Sequence, residues 1–321
     1  MKNNDNAISR RKFMVSTGML TAGFLVSPWR LSSSNFFDET SIVTTMINEA
    51  AKSPVTVQKL RNNLNVLEGS GGNIIVFTGW EGKLLIDAGI DVSEAKIKKV
   101  LAGLGNQPIK YLINSHWHFD HSSGNEWVHQ AGATIVAHEN TKKNMSKKVR
   151  VEDWNYTFPP SPKGALPTIV FEKERTLQMN GETIKLTYYG PAHTDSDISV
   201  HFENADVLHL ADTWWNGFYP FIDISTGGSI AGMLRAANAY VDQVSNKTII
   251  VPGHGQVGNK AQLIQYRDML VAIKTKIETL KKQGQTLQEV VANKPTKSYD
   301  AKWGNYAING DFFTNLVYRS L

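Results

Sequence analysis

Apolar and polar positions alternate with two different periods along most of the chain. "NIIVFTG" and "GKLLIDAG" are nearly continuous apolar runs joined through Gly79–Gly82, which predicts two strands in a hairpin. Before them, "VTVQKL" and "LNVLEG" predict short strands, and "SIVTTMINEAAKS" (41–53) reads as a short helix or a loose arm. "VSEAKIKKVLAGLG" then places Val92, Ile97, Val100, Leu101 and Leu104 at helical spacing and closes at Gly105. The strand "IKYLIN", the helix "GNEWVHQAG" and the strand "ATIVAH" continue the alternation. Residues 152–168, "EDWNYTFPPSPKGALPT", interrupt it with four prolines and predict a loop excursion inside one domain. That loop is equally readable as a cleft wall or as plain surface.

The alternation resumes with "TIKLTYYG", "ISVHFE", "DVLHLAD", the helix "SIAGMLRAANAYVDQV" and the strand "KTIIVPG". From Ala261 onward the pattern is helical, with Leu263, Tyr266, Leu270, Ile273, Ile277 and Leu280 on one stripe. The stripe is expected to pack on its own domain, as a C-terminal helical extension over 261–321, rather than to form a dimer seam. Oligomeric state is left open.

Charge changes the picture mainly by its location. The formal charge is +5, but residues 1–34 hold Lys2, Arg10, Arg11, Lys12 and Arg30 against Asp5 alone. The rest carries 29 basic against 28 acidic residues, so the body has no electrostatic reason to seek nucleic acid or an acidic membrane. A small-molecule partner is expected. "SRRKFMVSTGMLTAGFLVSPW" pairs Arg10 and Arg11 with an uncharged stretch, Phe13 to Trp29, that is short and weakly apolar for a membrane span. It resembles a twin-arginine export signal, cleaved between 28 and 40, and implies a periplasmic or exported protein with no stable span after removal. The chain has no cysteine, which excludes a lipoprotein anchor and disulfides.

The densest chemistry is "INSHWHFDHSSGN". Of nine histidines in the chain, His116, His118 and His121 fall here, with Asp120 among them. Further candidates follow apolar runs: His193 after "TIKLTYYGPA", Asp212 in "DVLHLAD" and His254 after "TIIVPG". Imidazole and carboxylate are ligands for zinc and similar divalent ions, and loop positions at strand ends suit a preorganised site. The candidates sort into two sets: His116, His118 and His193 for one ion, and Asp120, His121 and His254 for a second. Asp212 would bridge them. His201 and His209 read as satisfied structural or surface residues, His129 points away, and His138 reads as structural. "WWNGFYPFIDISTGGS" reads equally as cleft or core.

These residues resemble the metallo-β-lactamase superfamily, whose H-x-H-x-D-H signature is matched by "HWHFDH" and whose later ligands are matched by "GPAHTDSD", "LADT" and "PGHG". The layout fits from roughly 55 to 260, within a domain taken as 41–260. The resemblance implies an α/β fold, a four-layer αβ/βα sandwich with the site on one edge. It also implies Asp87 in "LLIDAG" as a residue that orients a metal ligand. The function implied is a metal-dependent hydrolase with two zinc ions per chain, iron or manganese also being compatible. A bridging hydroxide would attack a carbonyl in a lactone, thioester, other ester or β-lactam, and Asp120 would orient it. Asp212, in place of a cysteine, sets the chain apart from the cysteine-ligand β-lactamases. The alternatives are a mononuclear iron persulfide dioxygenase-like oxidoreductase and a phosphodiesterase of the same superfamily.

Overall fold

The helix α1 (Ile42–Lys52) opens the part of the chain that the computed structural model describes, residues 41–321. The leader with Arg10 and Arg11, and the export expected from it, lie outside the described residues. After α1 come β1 (Thr56–Lys59), β2 (Leu64–Glu68), β3 (Ile74–Gly79), β4 (Gly82–Ile86), α2 (Glu94–Gly103) and β5 (Ile109–Asn114). The short helices α3 (Phe119–Ser122) and α4 (Asn125–Gln130) lead to β6 (Thr134–His138) and α5 (Glu139–Met145). Next are β7 (Val149–Val151), β8 (Tyr156–Phe158), β9 (Ile169–Phe171), β10 (Glu174–Met179), β11 (Glu182–Tyr188), β12 (Ile198–Phe202) and β13 (Val207–Trp215). The chain closes with α6 (Ile230–Gln243), β14 (Ile249–His254), α7 (Lys260–Lys282), α8 (Leu287–Ala292), α9 (Lys297–Trp303) and α10 (Gly310–Arg319).

The strands form a seven-stranded sheet in the order β1-β2-β3-β4-β5-β6-β9 and a five-stranded sheet in the order β10-β11-β12-β13-β14. In the first, β1 to β4 pair antiparallel, while β4-β5, β5-β6 and β6-β9 are parallel. In the second, only β13 and β14 are parallel. The inner faces meet in one apolar cluster, with Leu64, Phe77 and Ile113 from one sheet and Leu186, Phe202 and Val251 from the other. Outside the first sheet, α2 and α4 bury Ile97, Leu101 and Trp127. Outside the second, α6 and α7 bury Met233, Tyr240, Leu263 and Tyr266 against Leu208 and Leu210. This is the expected helix–sheet–sheet–helix sandwich, and it explains why every residue of β13 is buried, since both of its faces are covered.

The C-terminal helices join the same core. Leu263, Tyr266, Leu270, Ile273 and Ile277 of the stripe are buried against the domain. Asn259 and Gln262 form a reciprocal cap at the start of α7, which fixes where the chain leaves β14.

Several details depart from the sequence reading. The 152–168 excursion carries β8, which pairs with β7 just ahead of it as a two-stranded hairpin, and two edge strands, β9 and β10, were not read. Val92 is exposed because Asp91–Ser93 forms a separate 3-10 turn ahead of α2. His209 is not satisfied: it is fully buried, and neither ring nitrogen has a hydrogen-bond partner among the described residues.

Candidate metal centre

All seven ligand candidates converge on one sheet edge, and all are buried. His116 and His118 follow β5, and His118 starts α3, whose single turn carries Asp120 and His121. His193 lies in the loop after β11, where Asp197 accepts hydrogen bonds from the Thr194 amide (2.8 Å) and hydroxyl (2.7 Å) and locks the turn. Asp212 lies in β13 where the pairing with β14 slips, and Ala211 beside it has φ +46°, a left-handed residue that bends the strand. His254 ends β14.

The donor atoms fall into two groups, each within 4.8 Å: His116, His118, His193 and Asp212, and then Asp120, His121 and His254. Asp212 touches both. Its Oδ1 is 3.0 Å from His121 Nε2, and its Oδ2 lies 3.5 Å from His193 Nε2 and 3.4 Å from His254 Nε2. Asp120 Oδ2 is 3.2 Å from His254 Nε2 and 3.6 Å from His121 Nε2.

The opposite nitrogens of the rings are tied down. His118 Nε2 donates to Asp223 Oδ2 (3.0 Å), and His193 Nδ1 donates to the Phe221 carbonyl (2.8 Å). His121 Nδ1 donates to Asp87 Oδ2 at 2.8 Å. His116 Nδ1 donates to Ser115 Oγ (3.0 Å), which passes its own proton to the same Asp87 oxygen (2.6 Å). Asp87 thus collects both rings, from a left-handed backbone with φ +64° that Asp tolerates better than most residues. It bonds one ring directly and the other through Ser115.

These bonds decide the tautomers, and so they test whether a metal fits. With His118 Nε2 and His193 Nδ1 both donating outward, His118 Nδ1 and His193 Nε2 present lone pairs to each other at 2.8 Å. Two such acceptors repel unless a cation lies between them. Buried His116 Nε2 also has no hydrogen-bond partner among the described residues. Electrostatics points the same way. Burial lowers the His116 imidazole well below its usual value, with the neighbouring His121 adding to the effect, and it lowers His118, partly offset by Asp223. Burial would also lower His254, but the Asp212 and Asp120 carboxylates raise it to about 9, and the carboxylates raise His121 well above its usual value. Burial would raise the Asp212 and Asp120 carboxyls, yet the histidines hold both below the ordinary range. His116 and His118 are held as neutral imidazoles ready to ligate, and the other set draws in positive charge. The donors fit metal binding by a divalent cation.

The sequence reading missed several contributors. Asp223 sits in "FIDIST" with no ligand spacing to flag it. Gly72 and Gly253 back the second set: a Cβ on Gly72 would fall inside the His121 ring, and one on Gly253 would fall on Asp212 Oδ1. The excursion and the aromatic stretch both reach the cleft, since Trp154 packs 4.7 Å from the His118 ring and Trp215 4.4 Å from His254. Trp214 and Tyr219 of that stretch are core instead. His129 and His138 stay outside the site. His138 accepts from the Asn140 amide (3.2 Å) and donates to the Glu172 carbonyl (2.8 Å).

A four-layer sandwich with clustered histidines and aspartates on one edge defines a metallo-hydrolase type of protein. The sequence profile of the metallo-beta-lactamase superfamily matches residues 67–254, and the chain belongs to that superfamily. A probable metallo-hydrolase of Methanocaldococcus jannaschii is 29% identical over 184 residues, 55% of this chain and 84% of that one. A type 2 metallo-beta-lactamase of a Bacillus species is 26% identical over 223 residues, 64% of this chain and 71% of that one. Among solved structures, a stereoselective inverting sec-alkylsulfatase from Pseudomonas superposes with a TM-score of 0.63 at 16% identity over 85% of this chain. This chain spans 51% of that enzyme's length, and the likeness is one of fold.

Proposed function

We propose that the chain is a two-zinc hydrolase that opens a carbonyl-centred bond, in a lactone, thioester, other ester or β-lactam. The observation that carries this reading is the Asp212 carboxylate, which presents one oxygen to His121 and the other to His193 and His254. His116, His118 and His193 would hold one ion and Asp120, His121 and His254 the other, with Asp212 reaching both. Iron and manganese suit the same donors. Bound there, two such ions supply an acidified water and charge stabilisation for an oxyanion. The chain's own groups do the rest. Asp120 lines the cavity and is ionised, so it accepts a hydrogen bond from the attacking water and aims it at the carbonyl carbon. Asp87, Ser115 and Asp223 hold the ligand rings, while Trp154 and Phe221 keep bulk water out.

A mononuclear iron oxygenase would use only one donor set and would leave Asp120, His121 and His254 without a task. The test is dialysis of the purified protein against a chelator, followed by zinc, with lactones, thioesters, β-lactams and phosphodiesters as substrates. Hydrolysis of a carbonyl compound is expected to disappear and return with zinc. Preference for a phosphodiester, or oxygen uptake restored only by iron, would overturn the reading.

A further inference from the structure

The cleft beside Asp120, Asp212 and His254 narrows to a cavity of about 20 Å³, room for about one water. None of these three side chains is more than 4% exposed. An organic substrate is several times larger than a water, so it cannot reach them while the walls stay where they are. Some part of the wall has to move.

Trp154 and Phe221 belong to the fixed part, their rings stacked at 4.8 Å, and Trp215 is held within β13. The remaining wall is a cover supplied from outside the family-matched stretch 67–254: Ile42 and Met46 of α1, and residues 306–308 between α9 and α10. The two covering pieces are held differently. Residues 306–308 are fastened on both sides. Ahead of them the Trp303 carbonyl accepts from the Tyr219 amide (2.8 Å), and behind them Asn309 accepts from the Phe312 amide (2.8 Å) at the start of α10. Ala307 and Ile308 are themselves buried.

The helix α1 is fastened at its C-terminal end. Lys96 Nζ donates to the carbonyls of Ala50, Ala51 (3.2 Å) and Ser53 (2.7 Å), and Ser93 Oγ donates to the Ala50 carbonyl (3.2 Å). The Pro54 carbonyl then closes on Gly69, where a Cβ would lie 2.1 Å from it. Over residues 41–49, one hydrogen bond joins the helix to the rest of the described residues, from Ser41 Oγ to the Trp154 carbonyl (3.1 Å). Its acceptor stands on the fixed wall. The same hydroxyl caps the helix by accepting from the Val43 amide (3.3 Å).

We propose that α1 is a gate. Its N-terminal half, with Ile42 and Met46, swings off the cavity about the anchors at residues 50–54, and Ser41 is the latch that holds it shut. The gate controls access for metal and substrate alike, so it does not rest on the hydrolase reading. A detached helix of 11 residues is marginal in water, so each opening also exposes the amide groups of α1 itself.

Hydrogen exchange read by mass spectrometry on the zinc-loaded full chain tests this. The amides of α1 should exchange at least about 100-fold faster than those of α7, a helix built into the core. Ser41→Asp keeps an oxygen to cap the Val43 amide but has no proton for the Trp154 carbonyl. It should speed both the exchange of α1 and the extraction of zinc by a chelator about fivefold, the factor carried by one neutral hydrogen bond, and leave α7 unchanged. Exchange in α1 as slow as in α7 would overturn the gate. So would a Ser41→Asp chain in which α1 exchange or zinc extraction keeps its wild-type rate, or in which α7 speeds up equally. Were the chain to retain no zinc, the metal reading would fall and the exchange rates alone would decide the gate.

Discussion

At His118 the site depends on a residue 105 positions away in the chain. Asp223 takes the Nε2 proton and also accepts from Thr226 Oγ1 at 2.6 Å, so its carboxylate fixes the tautomer that leaves Nδ1 free to ligate. Asp223→Asn keeps the shape and removes the charge. Metal affinity at the first set should fall about 10- to 100-fold, measured by competition with a chromophoric chelator. Unchanged affinity would show that Asp223 is only packing. A second residue-scale effect concerns His209. Burial lowers it to about 4, with Asp87, His121 and Asp212 nearby. Its unfolded value is 6.5, so its stabilising contribution is complete above pH 6.5 and is lost as pH falls toward 4. The loss amounts to about 3 kcal/mol. Asp197, raised by burial to about 6, has the opposite slope over an overlapping window. The difference between His209→Leu and wild type isolates the histidine. In urea unfolding of the metal-free proteins, the variant should gain about 3 kcal/mol on wild type between pH 7 and pH 4. Parallel pH curves would contradict this. The ligand candidates were legible because histidine is scarce in this chain and the candidates cluster in or just after apolar runs. Asp223 was not, because its role exists only after β5 and the loop beyond β13 meet.

Among the elements, the close approach of two backbones to the second donor set matters most. Gly72 follows β2 and Gly253 sits within β14, and neither has a left-handed φ, so their smallness is a matter of space alone. Gly253→Ala should push Asp212 aside. One of the two bound ions should be lost while the far-ultraviolet dichroism of the fold is retained, and turnover should fall by at least about tenfold. Full occupancy in that variant would mean that the β13–β14 approach does not set the carboxylate. Strands whose two faces are covered, such as β13, read clearly from their continuous apolar runs. The edge strands β9 and β10 did not, since their exposed positions lack the apolar pattern. The hairpin of β7 and β8 was hidden by prolines around it, although it delivers Trp154 to the cleft.

For the molecule as a whole, the family-matched core supplies the donors and the flanks supply the cover. The helical stripe of α7 was legible from local periodicity, and the sandwich from the resemblance carried by the histidine signature and the later strand-end motifs. Sequence alone could not show that α1 and Tyr306–Ile308 meet over the same cavity, since that contact joins segments from opposite ends of the chain. The central claim is that seven side chains hold two ions with Asp212 shared between them. Elemental analysis of the purified chain, beside Asp212→Asn prepared in the same way, tests it most directly. The account predicts two divalent ions per wild-type chain and loss of the second in Asp212→Asn. A single ion in the wild type, or two retained after Asp212→Asn, would contradict it.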